Sequence, residues 1–258
     1  AKHAAEIIEA VKPDHIVEFG SGTARKTRQL FDACSECGET AAYWPFDVCE
    51  SMLLESGRQL VHEYDWLTVN ALVGDYLGGL RHLPRPDGSR LFLFLGGTIG
   101  NFTEAQAQQF LCEVRGLMSA CDYLLLGADR VKDAGVLHAA YNDEQGMTAE
   151  FNLNLLHVLN RELDADFDIE SFRHRAIYSA QRERIEMYLV SGSAQRVRLG
   201  ALDCEILLGS GEEILTEISH KFTCDSLLSL LGESGFTLRQ HFEAEDHLYS
   251  LVLARSMQ

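Results

Sequence analysis

The sequence predicts an α/β protein: a doubly wound sheet of mostly parallel strands that carries an inserted α+β segment. Three observations point there. Short apolar runs alternate with helix-period stretches up to residue 130, and Gly20-Ser-Gly22 follows the first apolar run. Beyond residue 130 a long helical stretch and strands of period two interrupt the alternation before it resumes near residue 222.

Ala4 to Val11 has helical spacing and is stopped by Pro13, so His15 to Phe19 reads as the first buried strand. Lys26 to Cys34 continues as a helix, Tyr43 to Val48 is a second strand, and Ser51 to Glu55 opens the next helix. Leu67 to Val73 is expected as a third strand and Arg90 to Leu95 as a fully apolar fourth. Thr103 and Gln106 have capping-box spacing before a helix through Met118, and Tyr123 to Ala128 is a fifth strand. Thr148 to Leu163 then reads as one long helix. The runs 172–178, 184–190, 195–199 and 205–208 alternate polar and apolar like an antiparallel meander. A capped helix from Thr223 to Ser234 ends at Gly235, and 236–241 with 247–254 close the sheet as a strand pair.

With 22 basic and 39 acidic residues the net charge is -17 and no basic block occurs, so nucleic acid is not an expected partner. No run has the apolar length of a membrane span. Seven scattered cysteines without a leader point to a reduced, cytoplasmic setting. Cys34-x-x-Cys37 lacks a second pair, and no metal is expected. The chain opens at Ala1 inside a helical pattern, and residues are expected upstream of it.

Gly20 and Gly22 let the backbone turn beneath a ligand, yet such a pair also serves a plain tight turn. A third glycine at dinucleotide spacing is missing, which favours a nucleoside over a pyrophosphate. Asp47, at the end of the second strand, suits ribose hydroxyls or caps the next helix. Asp75 suits an adenine amino group or a turn. Three glycines and Asn101 in Gly96-Gly-Thr-Ile-Gly-Asn101 form a loop where a substrate should meet the cofactor.

Taken together, Glu18-Phe-Gly-Ser-Gly-Thr, Pro45-Phe-Asp-Val, Phe94-Leu-Gly-Gly-Thr-Ile-Gly-Asn-Phe102, Ala140-Tyr-Asn-Asp, Thr148-Ala-Glu-Phe-Asn-Leu-Asn154, Asn160-Arg-Glu-Leu, Ile185-Glu-Met187 and Thr216-Glu-Ile-Ser-His-Lys-Phe222 resemble the histidine Nα-methyltransferases of ergothioneine biosynthesis. The resemblance implies a Rossmann-like class I methyltransferase sheet formed by residues 1–130 and 222–258, with 131–221 as an inserted substrate-binding domain. It implies S-adenosylmethionine near Gly20, Lys26, Asp47, Asp75 and Tyr76, released as S-adenosylhomocysteine. An L-histidine substrate is implied at Gly96, Asn101, Tyr141, Met187, Glu217 and Ser219. Asn101 and Tyr141 then secure the backbone end of the amino acid and count as the catalytic pair, while Glu217 and Ser219 hold the imidazole with Met187 nearby. A segment before Ala1 is implied to add a further tyrosine to that pocket. A monomer is expected.

Methyl transfer to an amine needs positioning rather than a protein nucleophile. Glu217 and Ser219 can accept imidazole N–H bonds that a phenyl or indole ring cannot satisfy equally. Without the resemblance they read as a strand-end acid and hydroxyl, Tyr141 as a buried anchor and Met187 as core. Phe46, Phe102 and Tyr141 are candidate faces for a fixed trimethylammonium cation. The alternatives are an N-methyltransferase for another aromatic amino acid or a thiolated histidine, a non-catalytic nucleoside-binding module, and a nicotinamide-dependent oxidoreductase.

Overall fold

The computed structural model describes residues 2–244 and 246–257, and the chain divides into two compact units. One comprises Ala1–Arg130 with Phe222–Gln258 and the other Val131–Lys221.

In the first unit α1 (Ala4–Val11) buries Ala4, Ile7, Ile8 and Val11, the i, i+3, i+4, i+7 stripe of an amphipathic helix. β1 (His15–Phe19) is buried almost throughout. α2 (Arg28–Cys37) starts two residues later than expected, because Ala24 takes a left-handed φ of 52° and Lys26 lies in the turn that follows. β2 (Ala42–Asp47) and α3 (Glu50–Glu63) follow.

The expected third strand is divided into β3 (Thr68–Val69) and β4 (Leu72–Val73), both parallel to β2. The Asn70 N–H donates to the Tyr43 carbonyl and the Gly74 N–H to that of Asp47. On that side of β2 the residue between them is Pro45. It has no N–H to give, so the ladder breaks there.

β5 (Arg90–Phe94) is fully buried, α4 (Glu104–Leu117) carries the Thr103–Gln106 capping box, and β6 (Tyr123–Asp129) completes this run.

The second unit opens with α5 (Ala134–Tyr141), which periodicity did not reveal. Its start is marked by Asp133, whose carboxylate accepts the N–H groups of Gly135 and Val136. α6 (Met147–Glu162) follows. Buried Asn152 on α6 donates to the Tyr188 carbonyl, and the Asn160 carboxamide brackets the backbone of Phe167 at 2.9 and 3.0 Å.

β7 (Phe172–Ser179), β8 (Arg184–Ser191), β9 (Gln195–Leu199), β10 (Cys204–Leu208) and β11 (Glu213–His220) do not form the expected meander. β8 lies between β7 and β11, and among the described residues β9 pairs with β10 apart from a single bridge from Leu199 to Ala165. β11 takes the free edge of β8, where the Ser191 backbone bonds to Gly211 and Glu212, and the hairpin is left to pair with itself.

Back in the first unit, Phe222 bridges Arg130 and donates its N–H to the Asp129 carbonyl at 2.8 Å, so the chain returns beside the point where it left. α7 (Cys224–Glu233) has a Thr223–Ser226 capping box, and β12 (Phe236–Glu243) leads to β13 (Tyr249–Ser256). Among the described residues the sheet order is β12-β13-β6-β5-β1-β2-β3, with β4 also on β2. β13 is antiparallel to both its neighbours, as the closing strand pair predicted.

Candidate active site

The glycine loop after β1 opens a cleft of about 410 Å³ whose lining includes Glu18, Gly20, Ser21, Lys26, Gly96 and Thr98. Gly20 and Gly22 have φ of 67° and 50°, which only glycine adopts without strain. Asp47 holds this loop: one carboxylate oxygen accepts the Gly22 N–H at 2.9 Å and the other the Cys49 N–H at 3.0 Å. Asp47 thus ties the glycine loop to the start of α3. Its remaining lone pairs suit ribose hydroxyls.

Asp75 accepts the Leu77 N–H at 2.8 Å and caps the short turn 76–78. The Tyr76 ring then lies 3.7 Å from where a Cβ on Gly20 would stand. Gly74 is required as well, because a Cβ there would lie 2.6 Å from the Phe46 ring.

Glu18 sits beneath the loop. It accepts the Thr27 hydroxyl at 2.6 Å and the Tyr43 hydroxyl, and burial pushes its carboxyl up to about 7. In the sequence Glu18 stands out only as the first residue of the glycine-loop motif.

Across the cleft Gly96 has φ of 86°, and a Cβ there would meet the Lys26 ammonium at 3.1 Å. Its N–H donates to the Tyr249 hydroxyl at 3.2 Å. Tyr249 reaches it by crossing Gly127, where a Cβ would lie 2.0 Å from that hydroxyl. Neither partner was foreseen; a glycine inside an apolar strand was the available signal. Asn101 ends the turn 98–101 exposed, and its carboxamide makes no hydrogen bond among the described residues.

A larger cavity of about 930 Å³ shares Lys26 and Leu95, and its wall mixes apolar Ile7, Leu30, Leu125, Phe242 and Leu251 with polar groups such as Gln29, Glu243 and Asp246. The smaller cleft carries the glycine backbone on both sides with Glu18 and Lys26, while Asp47, Asp75 and Tyr76 lie outside its lining. It is therefore the better match to a nucleoside whose amino-acid tail and sulfonium need polar partners.

In the second unit Tyr141, at the end of α5, and Ser219, on β11, meet: their hydroxyls lie 3.0 Å apart. Buried Lys221 donates to the Tyr141 hydroxyl at 2.9 Å and to that of Ser219 at 2.8 Å, and its ammonium lies 4.9 Å from the Tyr141 ring centre. Lys221 had been read only as a letter of the motif.

Glu217 is two residues before Ser219 on the same face of β11. It is half-buried and makes no hydrogen bond among the described residues. Burial pushes its carboxyl up and nearby Lys221 pulls it down. Met187 faces Glu217 in register but is only 2 % exposed, packed with Leu137, Ala176 and Ile185. Of the three candidate cation faces, Phe46 and Phe102 are buried in the core of the first unit, and the Tyr141 ring is half-buried with Lys221 beside it. The expectation of open faces at Phe46 and Phe102 is corrected, because both rings fill core space between the sheet and its helices. Buried Cys34 is pushed up to about 12 by desolvation, which disfavours the thiolate that a metal would need.

The sheet order and the glycine cleft define the class, an S-adenosylmethionine-dependent methyltransferase fold. The chain superposes over its whole length on an S-adenosylmethionine-dependent methyltransferase from Clostridium acetobutylicum ATCC 824, covering 90% of that chain with a TM-score of 0.55 at 11% identity. The chain belongs to the family described as histidine-specific, SAM-dependent methyltransferases, whose model matches residues 1–256. It is 46% identical over 250 residues to a histidine N-alpha-methyltransferase of Mycobacterium tuberculosis, covering 97% of this chain and 78% of that one. It is 45% identical over 236 residues to the histidine N-alpha-methyltransferase of Mycolicibacterium smegmatis, covering 92% and 73%. Among the described residues no helix is long and apolar enough to cross a membrane.

Proposed function

We propose that the chain transfers three methyl groups from S-adenosylmethionine to the α-nitrogen of L-histidine, giving hercynine for ergothioneine biosynthesis, and that it acts as a cytoplasmic monomer. Residues 1–130 and 222–258 hold the donor, and 131–221 hold the amino acid. The cofactor supplies an electrophilic methyl on a sulfonium. Gly20, Lys26, Asp47, Asp75 and Tyr76 keep it in the cleft, and no side chain need act as a nucleophile, because transfer is an in-line displacement by the neutral amine.

Asn101 and Tyr141 bind the carboxylate and aim the α-nitrogen, with Gly96 giving close backbone approach. Glu217 and Ser219 receive the imidazole, and Met187 backs that wall. The observation that carries this reading is Glu217 and Ser219 on one face of β11, with the Tyr141 hydroxyl bonded to Ser219. Two polar groups at that spacing match the two ring nitrogens of an imidazole, and a phenyl ring would leave the Glu217 carboxyl unpaired.

The test is methyl transfer from labelled donor to an equimolar mixture of the proteinogenic amino acids. Label in histidine alone, with Glu217→Ala lowering kcat/KM about 100-fold or more, is the expected result. Label in tryptophan or tyrosine instead would reject the assignment.

A further inference from the structure

We propose that Lys221 is a positioning residue that makes the Ser219 hydroxyl a hydrogen-bond donor to the substrate, so that the pocket selects a ring with one N–H and one bare nitrogen, a neutral imidazole. The proposal rests on the reading of L-histidine as substrate and deepens it.

The argument is a count of protons. An ammonium has only donors, and that of Lys221 reaches both the Tyr141 and the Ser219 oxygens, at 2.9 and 2.8 Å. Each hydroxyl therefore receives a hydrogen bond from the buried side and keeps its own proton to give. Within the cluster the contact of 3.0 Å between the two hydroxyls uses one of those protons, and the other must point elsewhere. When a ligand offers acceptors, both hydroxyls can turn outward while still bonded to Lys221. The arrangement is firm, because Lys221 is 2 % exposed, Ser219 is 7 % exposed, and the ammonium packs beside the Tyr141 ring. A bond received from a cation also strengthens the donor it polarises.

Glu217, two residues back on the same face, is the complementary acceptor. One acceptor and one donor at that spacing fit an imidazole that carries a single N–H. A pocket with two acceptors would instead favour the imidazolium, and one with neither would accept a phenyl ring.

Lys221→Met and Ser219→Ala, compared with the unaltered chain, test this with L-histidine and the two pyrrolylalanine isomers, which keep one ring N–H and replace the other nitrogen by CH. The unaltered enzyme is expected to prefer histidine over the better isomer by about 100-fold or more in kcat/KM, since a site built to bond a substrate atom rejects the analogue that lacks it. In both variants that preference is expected to fall to within about threefold, through KM rather than kcat, with S-adenosylhomocysteine affinity by calorimetry unchanged. If Lys221→Met does not fold, Lys221→Gln, which donates more weakly, is expected to show an intermediate preference of about tenfold. The full preference persisting in either soluble Lys221 variant, or an unaltered enzyme that uses a pyrrolylalanine as well as histidine, overturns the proposal while leaving histidine methylation standing. An unaltered enzyme that does not methylate histidine overturns both.

Discussion

Glu18 shows how one carboxylate can tie loop geometry to pH. It accepts two hydroxyl bonds beneath the glycine loop, and burial raises its pKa from 4.5 to about 7. Between those values the folded chain keeps a proton that the unfolded chain releases. The stability carried by the neutral acid is therefore whole below about pH 4.5 and is lost as pH rises through 7, by about 3 kcal/mol. Glu18→Gln is expected to flatten this slope, measured by urea unfolding at pH 5 and pH 7.5; an unchanged slope would assign it to other groups. At Gly96 the φ of 86° would strain any side chain, and a methyl group there would press against the Lys26 ammonium. Gly96→Ala is expected to weaken S-adenosylhomocysteine binding about tenfold by calorimetry. Positions at this scale were legible where strand ends announce them, as with the turn at Gly20 and the anchoring carboxylates of Asp47 and Asp75. The bond between Tyr141 and Ser219 was not, because 78 residues separate them and no local pattern encodes the meeting.

Among the elements, β13 both completes the sheet and serves the site. It runs antiparallel between β12 and β6, and brings Tyr249 over Gly127 to the Gly96 N–H. Tyr249→Phe removes the acceptor of that N–H, and a severalfold loss of S-adenosylhomocysteine affinity is expected by calorimetry. The α4 cap tests a purely local signal: Thr103→Ala is expected to lower stability by about 1 kcal/mol in chemical denaturation without moving KM for histidine. Helices with an apolar stripe and a cap were readable, α4 and α7 above all. Short α5 buries only Leu137 and offers too little periodicity to be seen. The division of β3 from β4 depends on which way Pro45 faces, which pairing alone decides.

At the scale of the molecule, the chain bears a net charge of -17, and each of its two units buries apolar clusters of its own. The glycine cleft lies in the first unit, so a ligand bound there would be linked to the folding of that unit. S-adenosylhomocysteine at 100 times its Kd is expected to add about 2.7 kcal/mol to unfolding, and Asp47→Ala is expected to abolish most of the thermal shift at the same ligand concentration. An undiminished shift in that variant would remove Asp47 from the donor site.

By itself the sequence determined the alternation of strands and helices, the glycine turn, the antiparallel close of the sheet and the resemblance to one family. These rest on local periodicity, backbone freedom and short motifs, which need no knowledge of distant neighbours. Only the tertiary structure decided that β9 and β10 leave the expected meander and that Phe46 and Phe102 are core. The same holds for Lys221, which joins Tyr141 to Ser219. Each of these depends on which groups compete for the same edge, space or proton, and that competition exists only once the chain has folded.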